Sequence, residues 1–179
     1  AVFADNNQVY TIKVADIIKL QAKKNTSKKG SGSLIGRLAD KGIQVFEFCN
    51  MNGDENILFM DCIEHFVTDK LLFVSRQGLA KVVDGSAFDT TRRAANASKV
   101  GDDIIFIGKF SEGDFIIAQS EKGYYIRVDI SEIPEKGKGA AGVKLINLES
   151  DDVLESIFVG STKDTFKVGD NEIIFTRVK

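Results

Sequence analysis

Through its middle the chain reads Leu71-Leu72-Phe73-Val74-Ser75-Arg76-Gln77-Gly78-Leu79-Ala80-Lys81-Val82-Val83. Two aliphatic runs flank a polar turn, a pattern typical of a β-hairpin, and Gly78 allows a positive φ at the turn without steric cost. The pattern returns over 115–128 around Gly123 and over 2–14 around Asn7, and asparagine tolerates that conformation best after glycine. A further hairpin is predicted over 165–178. The chain is therefore predicted to be built from repeated hairpins.

Two other markers keep the same register in each copy. A hydrophobic residue follows the turn by ten positions, at Ile17, Phe88 and Ile133. An acidic pair precedes an aliphatic strand at Asp54-Glu55, Asp102-Asp103 and Asp151-Asp152. From Ile57 to Ile104 is 47 residues and from Ile104 to Val153 is 49, which is close to the length of a four-stranded propeller blade.

The rest of the chain favours an all-β fold in a single domain, residues 1–179. At 179 residues and 43% hydrophobic content it is long and apolar enough to bury a core. No long helix is predicted, because the segments between hairpins lack a 3.6-residue apolar period, and residues 19–36 are predicted to be a mobile loop. No apolar run approaches the roughly 20 residues of a membrane helix, and the N-terminal residues lack the pattern of a signal peptide.

Charged residues are distributed unevenly along the chain, although the net charge is only −2. Residues 19–41 hold seven Lys or Arg and one acid. Basic residues follow each of the first three hairpins: Lys23, Lys24, Lys28, Lys29, Arg92, Arg93, Lys136 and Lys138. If the hairpins are equivalent in space, these residues form a row along one rim, beside small residues that let a phosphate backbone approach. This pattern predicts contacts with the phosphates of duplex DNA.

Three segments also resemble a known family: residues 71–81, residues 130–143 and the acidic Gly-Asp-Asp-Ile at 101–104. They are similar to repeats in the C-terminal domain of type IIA topoisomerase A subunits, that is, of DNA gyrase or topoisomerase IV. The resemblance implies a β-pinwheel, a propeller-like disc whose blades exchange strands. The family usually has five or six blades, so about four units suggest a partial disc. It also implies that the rim binds and bends duplex DNA without reading its sequence.

The departures from the family pattern favour topoisomerase IV over gyrase, with a divergent gyrase as the alternative. The gyrase box, Gln-Arg-Arg-Gly-Gly-Lys-Gly, has only degenerate versions, at 28–32, 91–95 and 135–139. The resemblance further implies three partners: double-stranded DNA, the ATPase B subunit of the holoenzyme, and the catalytic core of the same A subunit. It implies a location in the bacterial cytoplasm with the nucleoid, and it implies no cofactor in this domain.

We expect no enzyme activity from the chain itself. Tyr10, Tyr124 and Tyr125 lie in predicted strands, where alternation makes them packing residues rather than nucleophiles. The sole histidine, His65, has no partner set that indicates a base or a metal ligand. The main alternative to a DNA-binding module is a propeller-type protein-interaction scaffold. A propeller enzyme would need convergent acids or histidines, which the strands do not offer.

Overall fold

The computed structural model describes residues 1–26, 42–49, 51–52, 54–99, 101, 103–161, 165–168 and 171–174. The strands are β1 (Val2–Ala4), β2 (Gln8–Tyr10), β3 (Ile57–Met60), β4 (Lys70–Ser75), β5 (Leu79–Asp84), β6 (Ala94–Asn96), β7 (Ile104–Lys109), β8 (Phe115–Ser120), β9 (Tyr125–Asp129), β10 (Val143–Lys144), β11 (Leu154–Gly160), β12 (Thr165–Val168) and β13 (Asn171–Ile174). The helices are α1 (Val14–Thr26) and α2 (Ile63–Phe66), with 3-10 turns at Val45–Glu47, Gly85–Phe88 and Ile130–Glu132. Among the described residues no helix has the length and apolar character needed to cross a membrane.

In the described part of the chain the strands form three antiparallel sheets and a separate antiparallel pair, β12–β13. Blade 1 has the order β3-β1-β2-β6, blade 2 has the order β7-β4-β5-β10, and blade 3 has the order β11-β8-β9. In blades 1 and 2 the fourth strand comes from the chain that follows the next hairpin. Neighbouring blades are therefore linked by exchanged strands, and the expectation of an all-β, propeller-like repeat is confirmed.

The hairpin turns have the backbone geometry that their sequences predict. Asn7 has a φ of 62°, Gly78 of 77° and Gly123 of 83°, the left-handed region in which glycine and asparagine are least strained. The strands on either side pair residue for residue, as in Phe73 with Lys81. An antiparallel pair of strands lies at each of the four predicted places, since β12 and β13 also pair. That residues 1–179 form one domain stays a prediction.

The first repeat corrects one expectation, because the structure has a 13-residue helix, α1, where the sequence predicted no long helix. The predicted loop at 19–36 is helical as far as Thr26, and residues 27–36 lie outside the described part. In the other two repeats the carboxylates of Asp84 and Asp129 accept hydrogen bonds from amides two residues later and start a short 3-10 turn. The matching position after Asn7 is Lys13, which cannot accept such a bond, and helix-forming residues follow it.

Blade 2 is buried on both faces because β4 alternates between two cores. Leu71 and Phe73 pack with Phe3 and Val9 of blade 1. Leu72 and Val74 pack with Ile116, Ala118 and Leu154 of blade 3. Successive residues of a strand point to opposite faces, so one aliphatic strand serves two interfaces. The blades are thus held side by side, and the loops that connect them lie at their edges.

Candidate nucleic-acid interface

Arg92 and Arg93 lie at the edge of blade 1, directly before the exchanged edge strand β6. Both side chains are exposed. The carbonyl of Arg93 accepts a hydrogen bond from the amide of Thr11 at 3.0 Å, which continues the pairing of β6 with β2. The amide of Arg92 donates to the hydroxyl of Thr90 at 3.2 Å. The backbone of both arginines is therefore held in place while their guanidinium groups face solvent.

Lys136 and Lys138 lie in the corresponding segment before β10, which we name the basic loop (residues 135–142). The amide of Lys136 donates to the carbonyl of Val82 at 2.8 Å, so the loop begins alongside β5. A turn follows, in which the amide of Ala140 donates to the carbonyl of Gly137 at 2.9 Å. The chain then returns as β10, with Val143 opposite Ala80. Lys136 is half-buried and stands at the edge of blade 2.

The side chain of Lys138 is directed toward the protein. Its ammonium donates to the carbonyl of Ala87 at 3.0 Å and lies 5.7 Å from the centre of the Phe88 ring. Both partners belong to the 3-10 turn that leads to Arg92. The structure therefore brings the basic loop against the segment that carries the two arginines, and the charge of Lys138 is already partly engaged by this contact.

Of the four candidate lysines of the first repeat, the structure describes two. Lys23 lies on α1 with an exposed side chain, and Lys24 lies on the same helix. Lys28 and Lys29 fall outside the described residues. The predicted equivalence of the three basic loops fails for Lys23 and Lys24, because a helix stands where the other repeats have a 3-10 turn and a loop.

Several other cations near the hairpins are paired with carboxylates. Lys122 lies 2.8 Å from Glu149 and 2.5 Å from Asp151, and hydrogen bonds to Asp151 and then Glu149 raise the pKa of Lys122. Arg76 lies 3.0 Å from Asp103. Within the described part of the chain, by contrast, no ion pair includes Arg92, Arg93, Lys136 or Lys138. These two segments therefore carry positive charge that no described carboxylate neutralises.

A second charged cluster lies at the junction of β3, α2 and β7. Asp61, Cys62 and His65 each place a possible metal-ligand atom within 4.8 Å of the others. The carboxylate of Asp61 is 2.7 Å from the His65 imidazole and 3.2 Å from the ammonium of Lys109. The hydrogen bond from His65, with smaller contributions from the Cys62 amide and Lys109, lowers the pKa of Asp61 to about 2. This carboxylate is satisfied by protein groups, so we interpret the cluster as an ion-pair network.

The sequence pattern did not identify Lys81 as part of the interface. It also predicted wrongly that Tyr124 and Tyr125 are packing residues. Lys81 of β5 is 2% exposed, and its ammonium donates to two carbonyls of the basic loop. The only sequence signal was a lysine between aliphatic residues, at the centre of Leu79-Ala80-Lys81-Val82-Val83. Tyr10 is buried as expected, but Tyr124 and Tyr125 are 54% and 39% exposed, so they are not packing residues.

The architecture defines a class: a propeller-like repeat protein that exchanges strands between blades and carries basic segments at their edges. The family model described as "DNA gyrase C-terminal domain, beta-propeller" matches residues 69–119 and 114–161. The chain belongs to the DNA gyrase C-terminal domain family, and the resemblance noted from the sequence is confirmed.

Similar proteins agree with this assignment. The chain is 32% identical over 125 residues to the A subunit of DNA topoisomerase 4 from Streptococcus pneumoniae, covering 65% of this chain and 15% of that protein. It is 27% identical over 135 residues to the A subunit of DNA gyrase from Lawsonia intracellularis, covering 73% of this chain and 16% of that protein. The chain thus spans about one sixth of the length of these relatives.

Solved structures show the same fold. The crystal structure of the C-terminal domain of DNA topoisomerase IV aligns with a TM-score of 0.64 and 23% identity, covering 73% of this chain and 42% of that one. The E. coli ParC C-terminal domain aligns with a TM-score of 0.56 and 21% identity, covering 75% of this chain and 58% of that one.

Proposed function

We propose that the chain is a DNA-binding module within the A subunit of a type II topoisomerase. In this role it binds duplex DNA without sequence preference, bends it around the blade edges and presents it to the catalytic core. The observation that carries the proposal is the contrast between Arg92, Arg93 and Lys136, which have no carboxylate partner among the described residues, and paired cations such as Arg76 and Lys122. Cations that remain unneutralised on a folded surface can replace the counterions of DNA phosphates.

The proposed contacts go to phosphates, because the segments offer charge and small residues rather than a helix or ribbon shaped for a groove. Phosphate contacts position a duplex but do not select a sequence. Bending a 20–30 base-pair segment costs on the order of 1–6 kcal/mol, and several ion contacts can offset this cost. Lys138 is expected to contribute less than Lys136, because its ammonium already contacts Ala87 and Phe88.

Within the family we favour a topoisomerase IV-like role over a gyrase role, because residues 28–32, 91–95 and 135–139 hold only degenerate gyrase boxes. The proposed protein partners are the catalytic core of the same A subunit and the ATPase B subunit of the holoenzyme. The proposed location is the bacterial cytoplasm, near the nucleoid. Strand cleavage and ATP hydrolysis belong to those partners. The chain itself acts as an accessory domain without a cofactor.

The double variant Arg92→Ala/Arg93→Ala tests the proposal. If each arginine neutralises one phosphate, the slope of log affinity against log salt concentration becomes less steep by about 2, and affinity falls at every salt concentration. The measurement is a gel-shift or fluorescence-anisotropy titration of a long duplex, repeated at several salt concentrations between about 50 and about 200 mM.

The matched control is Arg76→Ala/Lys122→Ala, which removes the same charge from cations that pair with acids at two hairpin turns. Thermal melts establish that both double variants are folded. The control should retain most of the salt dependence of the unmodified chain. Equal DNA affinity for the unmodified chain and the Arg92/Arg93 variant would contradict the proposal and favour the protein-interaction scaffold.

A further inference from the structure

Lys81 is a buried lysine at the interface of blades 1 and 2. Its neighbours in β5, Ala80 and Val82, pack into the core shared with blade 3, so Lys81 points to the opposite face, toward blade 1. Its side chain is 2% exposed, and its ammonium lies 5.8 Å from the centre of the Phe73 ring. DNA on the surface cannot reach this charge.

The surroundings of Lys81 fit an ammonium group closely. It donates to the hydroxyl of Ser98 at 3.0 Å, to the carbonyl of Lys138 at 2.7 Å and to the carbonyl of Ala140 at 2.8 Å. A lysine ammonium has three N–H donors, and these contacts supply an acceptor for each. Burying a charge is costly unless it is hydrogen-bonded, so the arrangement depends on both the charge and its partners.

Two of these partners belong to the basic loop, and the third lies just beyond β6, at the end of that strand away from Arg92 and Arg93. Ser98 lies two residues beyond β6, the strand that Arg92 and Arg93 precede. Lys138 and Ala140 belong to the basic loop. A second contact joins the basic loop to blade 1, because the Lys138 ammonium donates to the carbonyl of Ala87 in the turn before Arg92. One buried ammonium therefore joins the edge of blade 1 to the loop at the edge of blade 2.

The lysine is particular to blade 2. The third residue after the turn is Tyr10 in the first hairpin and Ile126 in the third. Neither side chain can donate three hydrogen bonds. The Lys81 contact is therefore not a general requirement of the repeat. It occurs between the two segments whose basic residues have no described carboxylate partner, where it can hold these segments at a constant spacing.

We propose that Lys81 is a positioning residue for DNA binding: its ammonium fixes the basic loop against the chain just beyond β6, the exchanged strand that Arg92 and Arg93 precede. This inference rests on the proposed function. A rigid spacing between the segments lets the cations contact phosphates without the entropy cost of ordering a mobile loop. Lys81 contributes to affinity in this way although it touches no phosphate.

The main test is Lys81→Met, which keeps a long unbranched side chain and removes the ammonium. In the absence of DNA, amide hydrogen exchange of Lys136, Ala140 and Leu145 should accelerate by about tenfold, since the hydrogen bonds that hold the loop are lost. The amides of β8 in blade 3 serve as the internal reference and should be unchanged. Unchanged exchange in the loop overturns the inference.

The DNA measurement separates positioning from direct contact. The Lys81→Met affinity should fall by about fivefold to tenfold, with a salt slope within about 0.5 of the unmodified value, because no phosphate contact is removed. A slope that drops by about 1 would mean that Lys81 reaches a phosphate, and an unchanged affinity would mean that its role is limited to the core. Either outcome overturns the inference.

Ser98→Ala is the second variant, used if Lys81→Met does not fold. It keeps the lysine and removes one acceptor, and we expect faster loop exchange and about a twofold to threefold loss of affinity at constant salt slope. No loop acceleration in this variant would overturn the inference. Failure of the unmodified chain to bind DNA would contradict the proposed function, whereas the exchange measurement, made without DNA, tests the contact of Lys81 with the loop by itself.

Discussion

Gly142 lies where the basic loop turns back into β10. A Cβ at this position would be 2.8 Å from the carbonyl oxygen of Ala80 and 2.9 Å from its nitrogen, closer than real Cβ atoms approach backbone. Gly139, three residues earlier in the same loop, has no atom within 4 Å of the corresponding point. Glycine is therefore required at one of these positions by the close approach of two strands.

This difference gives a matched pair of variants. Gly142→Ala should lower the free energy of unfolding by about 1–3 kcal/mol, because β10 must shift away from β5 to admit the methyl group. Gly139→Ala should change it by less than about 0.5 kcal/mol. Urea unfolding followed by circular dichroism measures both. Equal stability of the two variants would show that β10 does not pack against Ala80 as closely as the structure indicates.

At the scale of elements, the junction of β3, α2 and β7 is held by charges. Lys109 at the end of β7 donates to the carbonyl of His65 at 2.6 Å and lies 3.3 Å from Asp69 and 3.2 Å from Asp61. Asp61 also accepts from the amide of Cys62 at 2.7 Å at the start of α2. One carboxylate thus connects blade 1, through β3, with blade 2, through β7.

The lowered pKa of Asp61 predicts a pH dependence of stability. The folded-state pKa of about 2 lies below the ordinary value of 3.8, so the unfolded chain takes up the proton first as the pH falls. The stabilisation is complete above about pH 5 and is lost progressively as the pH approaches 2.

Asp61→Asn removes this titration while its amide oxygen can still accept from Cys62. The variant should be less stable than the unmodified chain at neutral pH, and the difference should shrink as the pH falls from about 5 to about 2. Thermal melts across this range measure it. A difference that stays constant with pH would show that the charge of Asp61 does not contribute to stability.

At the scale of the molecule, an aromatic cluster connects blades 1 and 2. The ring of Phe3 lies 5.0 Å from that of Phe88, 5.8 Å from Phe59, 5.9 Å from Phe66 and 6.3 Å from Phe73, measured between centroids. Phe3 is fully buried. Because the blades also exchange strands, loss of this packing should weaken both blades together.

Phe3→Ala should lower the free energy of unfolding by about 3–5 kcal/mol, as is typical of a phenylalanine removed from a packed core. Phe46→Ala is the control, since Phe46 is 42% exposed and should cost much less. Chemical unfolding monitored by circular dichroism compares the two. Similar losses in both variants would contradict the placement of Phe3 at the centre of the interface.

The sequence alone determined the hairpins and their turns. A turn depends on a few neighbouring residues, so Asn7, Gly78 and Gly123 were sufficient to place three of them, and the positive φ values follow from the residue types. The charge pattern likewise identified Arg92, Arg93 and Lys136 as candidates, since charge is a property of residue type. The helix α1 was missed because its apolar period is weak.

Tertiary structure decided what depends on distant partners. The exchange of β6 and β10 joins residues far apart in the chain, as in Gln8 with Asn96, and no local pattern specifies that choice of partner. The inward direction of Lys138 and the burial of Lys81 depend in the same way on carbonyl groups supplied by another segment. The basic residues could be recognised in the sequence, but their spacing follows from long-range contacts that form only when neighbouring blades pack.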